Sequence, residues 1–186
     1  MTRARDTFCS FCGTAYALPL VYPRKCANGA CGAEVRANPV PVAVLLLPVA
    51  HEGRVGLLVV RRGIEPRRGM LALVGGFVEE HETWQVAAAR EVREETSVVV
   101  EASRMDSFWY VSTEPRPNRV LLFATAAPVD GTKIPTLVPN AETAERGVIF
   151  GPQGIEDLFA FPLHVQAAKR WFAARGLEGA HGYSMI

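Results

Sequence analysis

The sequence predicts an α/β protein: a mixed-sheet α/β/α sandwich preceded by a small zinc ribbon. Three observations predict it. All four cysteines fall within the first 31 residues; the rest of the chain alternates strand-like runs with two substantial helical patterns. The 186 residues suit one domain of about 145 residues plus a module too small to build its own core.

The first element is the cysteine framework. Cys9 and Cys12 form CSFC, Cys26 and Cys31 form CANGAC, and each pair is followed by glycine. Two such knuckles supply four thiolates to a tetrahedral Zn²⁺. Two disulfides or a redox pair would use the same residues. The charged Thr2 to Asp6 segment has no apolar run behind it, so no secretory leader is expected. A reducing, cytoplasmic compartment follows, which favours zinc. Four thiolates fill the coordination sphere, so this zinc is expected to be structural. The ribbon is expected over 1–38 and the second domain over 39–186, divided at the Asn38-Pro39 turn.

Beyond that turn, Val42 to Val49 and Arg54 to Arg62 read as strands joined by His51-Glu52-Gly53, and Met70 to Val74 as a short strand entering Gly75-Gly76. Thr83 caps a predicted helix in which Ala88, Ala89, Val92 and Thr96 recur at i, i+3 and i+4 spacing to face a core. Val98 to Ala102, Asp106 to Ser112 and Arg119 to Ala127 are the next strands, and Gly154 to Phe159 and Leu163 to Ala174 carry helical signals. The longest apolar run, Val40 to Ala50, is interrupted by prolines and too short to cross a bilayer. With 20 basic and 19 acidic residues the chain is nearly neutral, and Arg3, Arg5, Arg24, Lys25 and Arg36 form no stripe for a phosphate backbone. Neither a membrane nor a nucleic acid is an expected partner.

On the predicted helix Glu91, Glu94 and Glu95 stand three and four residues apart, on one face. Two carboxylates at about 5 Å and an effective dielectric of about 20 repel by about 3 kcal/mol. Mg²⁺ or Mn²⁺ would compensate, because these ions prefer carboxylate oxygens. A solvated acidic face is the plain alternative. The flanking residues carry more information. From Gly76, five residues lead to Glu82 and seven more to Arg90-Glu91, followed by Val92, Glu94, Glu95, Ser97 and Val98. This resembles the signature of the Nudix hydrolases, matching eight of its nine specified positions. Ser97 stands where the family has the glycine that closes the helix, and His81 where many members carry glycine. Serine tolerates positive φ less well, so an altered helix exit is expected.

The resemblance implies the Nudix sandwich and hydrolysis of a nucleoside diphosphate linked to another moiety, with divalent metals activating water. It also implies Glu91 and Glu95 as principal metal ligands, Glu94 as a further one, the Gly75 carbonyl as another, and Glu82 close by. Arg90 would orient the glutamates; a surface ion pair with Glu94 is its other reading. Two or three ions about 3.5–4 Å apart would screen the pyrophosphate. The general base is a helix glutamate or a loop carboxylate, with Glu142 and Glu145 of NAETAERGVIF as loop candidates. Arg61, Arg62, Arg67, Arg68, Arg116 and Arg119 suit phosphate contacts, and Phe77, Trp109 and Tyr110 suit stacking on a ring, against plain readings of solubility and core packing. His164 reads as structural.

A ribbon joined to a Nudix domain is similar to the NADH pyrophosphatases, and Tyr22-Pro23-Arg24 fits that comparison. Their SQPWPFP segment becomes WYVSTEPRPNRVLLF here, where Ser112, Pro115 and Pro117 echo it without its tryptophan and phenylalanine. The chain also resembles shorter ribbon-bearing Nudix enzymes that act on FAD and ADP-ribose, through its PNAETAE and LFAFPLH segments. The expected substrate is a small adenine-containing dinucleotide or a nucleotide sugar, and a homodimer is one arrangement the ribbon would serve. Removal of nucleotide caps from RNA and a non-catalytic nucleotide-sensing regulator are the alternatives. The regulator would be expected to lose glutamates that this chain keeps.

Overall fold

The computed structural model describes residues 7–114, 118–138 and 140–186. It divides into two compact units, Met1–Pro39 and Val40–Ile186. In the first, β1 (Arg24–Lys25) pairs antiparallel with β2 (Glu34–Val35), and an isolated bridge joins Phe8 to Ala15. Only Cys9, Arg24 and Cys26 are buried among its described residues, so apolar burial is too small to hold it together.

The second unit contains β3 (Val40–Leu46), β4 (Pro48–His51), β5 (Arg54–Arg62), β6 (Leu71–Ala72), β7 (Val74–Phe77), α1 (Trp84–Thr96), β8 (Asp106–Ser112), β9 (Arg119–Thr125), β10 (Val129–Asp130), β11 (Thr143–Ile149), α2 (Pro162–Ala173) and β12 (Tyr183–Met185). One sheet runs β10-β4-β5-β11-β12 with β6 against β5, and the other runs β7-β3-β9-β8. The β3/β9 and β4/β10 pairs are parallel and the rest antiparallel, which makes both sheets mixed.

The period-two pattern of the central strands builds two cores. Ala43, Leu45, Leu58 and Val60 join Ala87, Ala88 and Val92 of α1. Their neighbours Val44, Leu46, Leu57 and Val59 join Ala167, Ala168, Trp171 and Phe172 of α2. Continuous apolar strands are what a sheet covered on both faces requires, and the result is the expected α/β/α sandwich. Among the described residues no helix is long and apolar enough to cross a membrane.

Four local expectations are corrected. The predicted Val42 to Val49 strand breaks at Leu47 into β3 and β4, which belong to different sheets, because Pro48 has no N–H to extend a ladder. Val98 to Ala102 forms no strand: Val98 and Val100 pack into the core beside α1, and a short 3₁₀ turn begins at Ala102. Gly154 to Phe159 forms turns rather than a helix, since Leu71 donates to Leu158 and accepts from Ala160, pinning the segment to the sheet. On α1, Ala87 rather than Ala89 is fully buried.

The helix exit also differs from expectation. Ser97 adopts the left-handed conformation (φ 61°, ψ 7°) and its N–H donates to the Arg93 carbonyl, so the helix closes as it would with glycine. Its Oγ accepts the Val138 N–H at 3.1 Å, a bond no glycine could make.

Candidate active site

The site begins with two glycines on β7. A Cβ on Gly75 would overlap the Ala43 carbonyl and Val44 of the paired β3, and a Cβ on Gly76 would overlap the Glu91 carboxylate. Gly75 therefore lets β7 pair closely with β3, and Gly76 lets the Glu91 carboxylate of α1 lie against the strand. Thr83 starts the helix by accepting the Val86 N–H, and Ala87, Ala88 and Val92 seat it on the core.

Arg90 holds the acids together. It donates to both Glu82 oxygens (2.7 and 3.2 Å), to Glu91 (2.7 Å), to Glu94 (3.3 Å) and to the Phe77 carbonyl (3.0 Å). Both sequence readings of Arg90 therefore describe real contacts. The Arg90 bond holds the Glu82 carboxyl below its usual range, and the Glu79 N–H adds to this. Both Glu82 oxygens thus have donors.

Glu95 has the opposite surroundings. Its Oε2 is buried and meets no hydrogen-bond donor. Burial, with the Glu91 charge adding, pushes its carboxyl up to about 8, against the weaker opposing effects of the Gly75 amide and Arg62. Burial also raises Glu91, and Arg90 opposes it. Glu91, Glu94 and Glu95 line a cavity of about 500 Å³ with Arg90, Asn140 and Glu142. A buried Glu95 oxygen without a donor, among carboxylates that repel one another, suits a divalent cation, so this donor set fits Mg²⁺ or Mn²⁺.

Glu142 reaches this cavity from the loop before β11. Asn140 fixes the loop: its Oδ1 accepts the Glu142 and Thr143 amides (2.9 and 2.8 Å), and its Nδ2 donates to the Glu94 carbonyl (2.7 Å). Sequence reasoning missed Asn140; the signal was an asparagine placed to bond an amide two residues on. Glu145 lies elsewhere, on β11, where it accepts from Tyr183 (2.7 Å) and Arg61 (2.8 Å). Arg146, also missed, is buried and donates to the Thr96 and Pro135 carbonyls.

A second cavity, of about 430 Å³, is lined by Arg62, Gly75, Gly76, Phe77, Arg119, Phe161 and His164 among others. Arg119 lies 5.2 Å over the Phe77 ring and Arg62 lies 5.0 Å over the Phe161 ring. Gly76 borders this cavity and abuts Glu91 of the other. Arg68 is exposed and lines neither. Trp109 stacks on Phe123 at 5.2 Å, while Tyr110 is exposed and lines neither cavity. Arg3, Arg5, Pro115, Arg116 and Pro117 lie outside the described residues.

In the first unit the four cysteine sulfurs lie within 4.8 Å of one another. The Cys9–Cys31 and Cys12–Cys26 separations of 3.9 and 3.5 Å exceed the ~2.05 Å of a disulfide. They match the roughly 3.8 Å edge of a tetrahedron with Zn–S of about 2.3 Å. Gly13 and Gly32 follow the two pairs with φ of 72° and 58° and close the knuckles onto the Cys9 and Asn28 carbonyls. The cluster could hold zinc.

A carboxylate-bearing helix entered from a glycine pair, on a mixed-sheet sandwich, defines a hydrolase of the Nudix class. The NUDIX domain model matches residues 39–173, and the chain belongs to that family. No curated protein matches it. Among solved structures it is similar to a NUDIX hydrolase from Nitrosomonas europaea (23% identity, 94% of this chain and 96% of that one, TM-score 0.64). It is also similar to the NUDIX domain of Shewanella oneidensis NrtR complexed with ADP ribose (19%, 75% and 90%, 0.61). A third is a MutT/nudix family protein from Enterococcus faecalis (19%, 75% of this chain, 0.61), of whose length the match spans 64%. At these identities the likeness shows the fold.

Proposed function

We propose that this protein hydrolyses the pyrophosphate bond of a nucleoside diphosphate linked to another moiety, of the FAD, ADP-ribose or NADH class, and releases a nucleoside monophosphate. The observation that carries this is the donorless Glu95 oxygen inside a cluster of carboxylates, one glycine away from a cavity of paired arginines and aromatics. Glu91, Glu94, Glu95 and the Gly75 carbonyl would hold Mg²⁺ or Mn²⁺. Such ions, when bound, acidify water and screen the phosphate charge. Arg90 and Glu82 would restrain the ligand carboxylates, since Arg90 binds Glu82, Glu91 and Glu94 at once. Glu142 or a helix glutamate would take the proton from the attacking water. Arg62 and Arg119 would counter the phosphate charge, with Phe77 stacking on a base. The complex of the Shewanella domain supports ADP-ribose as one candidate.

We also propose that residues 1–38 are a zinc ribbon whose Cys9, Cys12, Cys26 and Cys31 hold a structural ion, with residues 39–186 as the hydrolase domain. The test is a panel of NADH, FAD, ADP-ribose, nucleotide sugars and capped RNA with either divalent ion, products separated by mass. Metal-dependent release of a nucleoside monophosphate from a small dinucleotide is expected. Cleavage of capped RNA alone, or of nothing in the panel, would overturn the reading.

A further inference from the structure

The roles above use no side chain of α2, yet Pro162, Leu163 and His164 of that helix line the second cavity, and only His164 carries a titratable group. His164 lies in the first turn of α2 and is 7% exposed. Its ring stands edge-on to Phe123 and 5.0 Å from the Phe161 ring. Its Nδ1 accepts the Leu73 N–H at 3.2 Å, in the link between β6 and β7 that leads to Gly75 and Gly76. A backbone amide can only donate, so Nδ1 carries no proton and the one proton of the neutral ring sits on Nε2. Burial, with the nearby Arg62 charge adding, pushes the imidazole down to about 3, so the ring is neutral at ordinary pH. No described residue pairs with Nε2.

With Nδ1 taken up by the Leu73 amide, the remaining ring donor is free for an acceptor on a ligand in the cavity that His164 lines. Phosphate is the wrong partner, because the cavity already offers it the Arg62 and Arg119 guanidinium groups. An uncharged donor among Val42, Val44, Leu121 and Leu163 suits an uncharged heterocycle. A purine fits best: its unprotonated ring nitrogens are in-plane acceptors and its faces suit the two phenylalanines.

We infer that His164 determines specificity, its Nε2–H donating a hydrogen bond to a ring nitrogen of a purine base seated in this cavity. The contact deepens the proposed reaction on nucleotides and rests on that reading for its biological meaning.

Calorimetric titration of the metal-free, full-length protein tests it, with AMP, its 1-deaza, 3-deaza and 7-deaza analogues, and ribose 5-phosphate. AMP should bind more tightly than ribose 5-phosphate, and one deaza analogue should bind about tenfold more weakly than AMP. In His164→Asn, whose amide oxygen can still accept the Leu73 N–H, AMP should weaken about tenfold, that analogue should lose its deficit, and ribose 5-phosphate should be unaffected. Three analogues equal to AMP, AMP no better than ribose 5-phosphate, or unchanged AMP affinity in a folded His164→Asn would each overturn the inference. The analogue series needs no variant, so a poorly folding His164→Asn leaves it testable. Base-dependent binding in a protein that cleaves nothing in the substrate panel would instead sink the proposed reaction and leave the contact standing.

Discussion

Glu95 shows how a single residue trades stability for chemistry. Its Oε2 is buried without a donor and its charge faces that of Glu91. Glu95→Gln should lower kcat by about 10²–10³ or more, because the carboxylate contact proposed for the ions would be lost. The same change should stabilise the metal-free protein by about 1–3 kcal/mol, read from urea unfolding at neutral pH, since burial pushes the Glu95 carboxyl up to about 8 and folding must protonate it, whereas an amide needs no proton. A variant that is both active and no more stable would contradict the role given to Glu95. Ser97 allows a second test. A left-handed non-glycine residue costs about 1–2 kcal/mol, and the Val138 bond to its Oγ offsets part of that. Ser97→Ala should therefore destabilise by about 1 kcal/mol while Ser97→Gly stays near neutral by thermal unfolding.

At the scale of elements, the strand-to-helix unit was legible because its logic is local. Gly76, Glu82, Arg90, Glu91 and Glu95 stand at fixed spacings, and helical periodicity alone turns the glutamates to one side. The loop that carries Glu142 was only half legible: Asn140 grips the Glu94 carbonyl 46 residues away, which no local pattern reveals. Asn140→Ala should free that loop and lower kcat about tenfold with KM little changed, if Glu142 acts in the site. The knuckles are a second local unit, each closed by a positive-φ glycine. Elemental analysis should find one zinc per chain that survives mild EDTA, and Cys26→Ser should destabilise or aggregate the protein while its folded fraction keeps its relative substrate rates. Four freely titrating thiols without zinc would refute the ribbon.

At the scale of the whole molecule, His164 ties α2 to the strand link beneath the site, and its titration makes overall stability depend on pH. Its folded pKa of about 3 lies below the ordinary 6.5, so the unfolded chain binds the extra proton first. The His164 contribution should be complete above about pH 7 and decline as pH falls toward 3, by on the order of 2 kcal/mol between pH 7 and pH 5, while Glu95, with its carboxyl pushed up to about 8, contributes the opposite slope between about 4.5 and 8. The folded His164→Asn variant should lack that part of the slope in denaturant titrations at several pH values. The sequence by itself determined the sandwich class, the cysteine framework and the acidic helix, because each follows from periodicity or spacing within a short stretch. Tertiary structure alone decided that Leu47 switches sheets, that Glu145 pairs with Arg61 and Tyr183, and that His164 meets Leu73 across 91 residues to line a cavity. Those outcomes depend on which surfaces meet once the sheets and helices pack, and a contact between distant residues leaves no period in the chain to read.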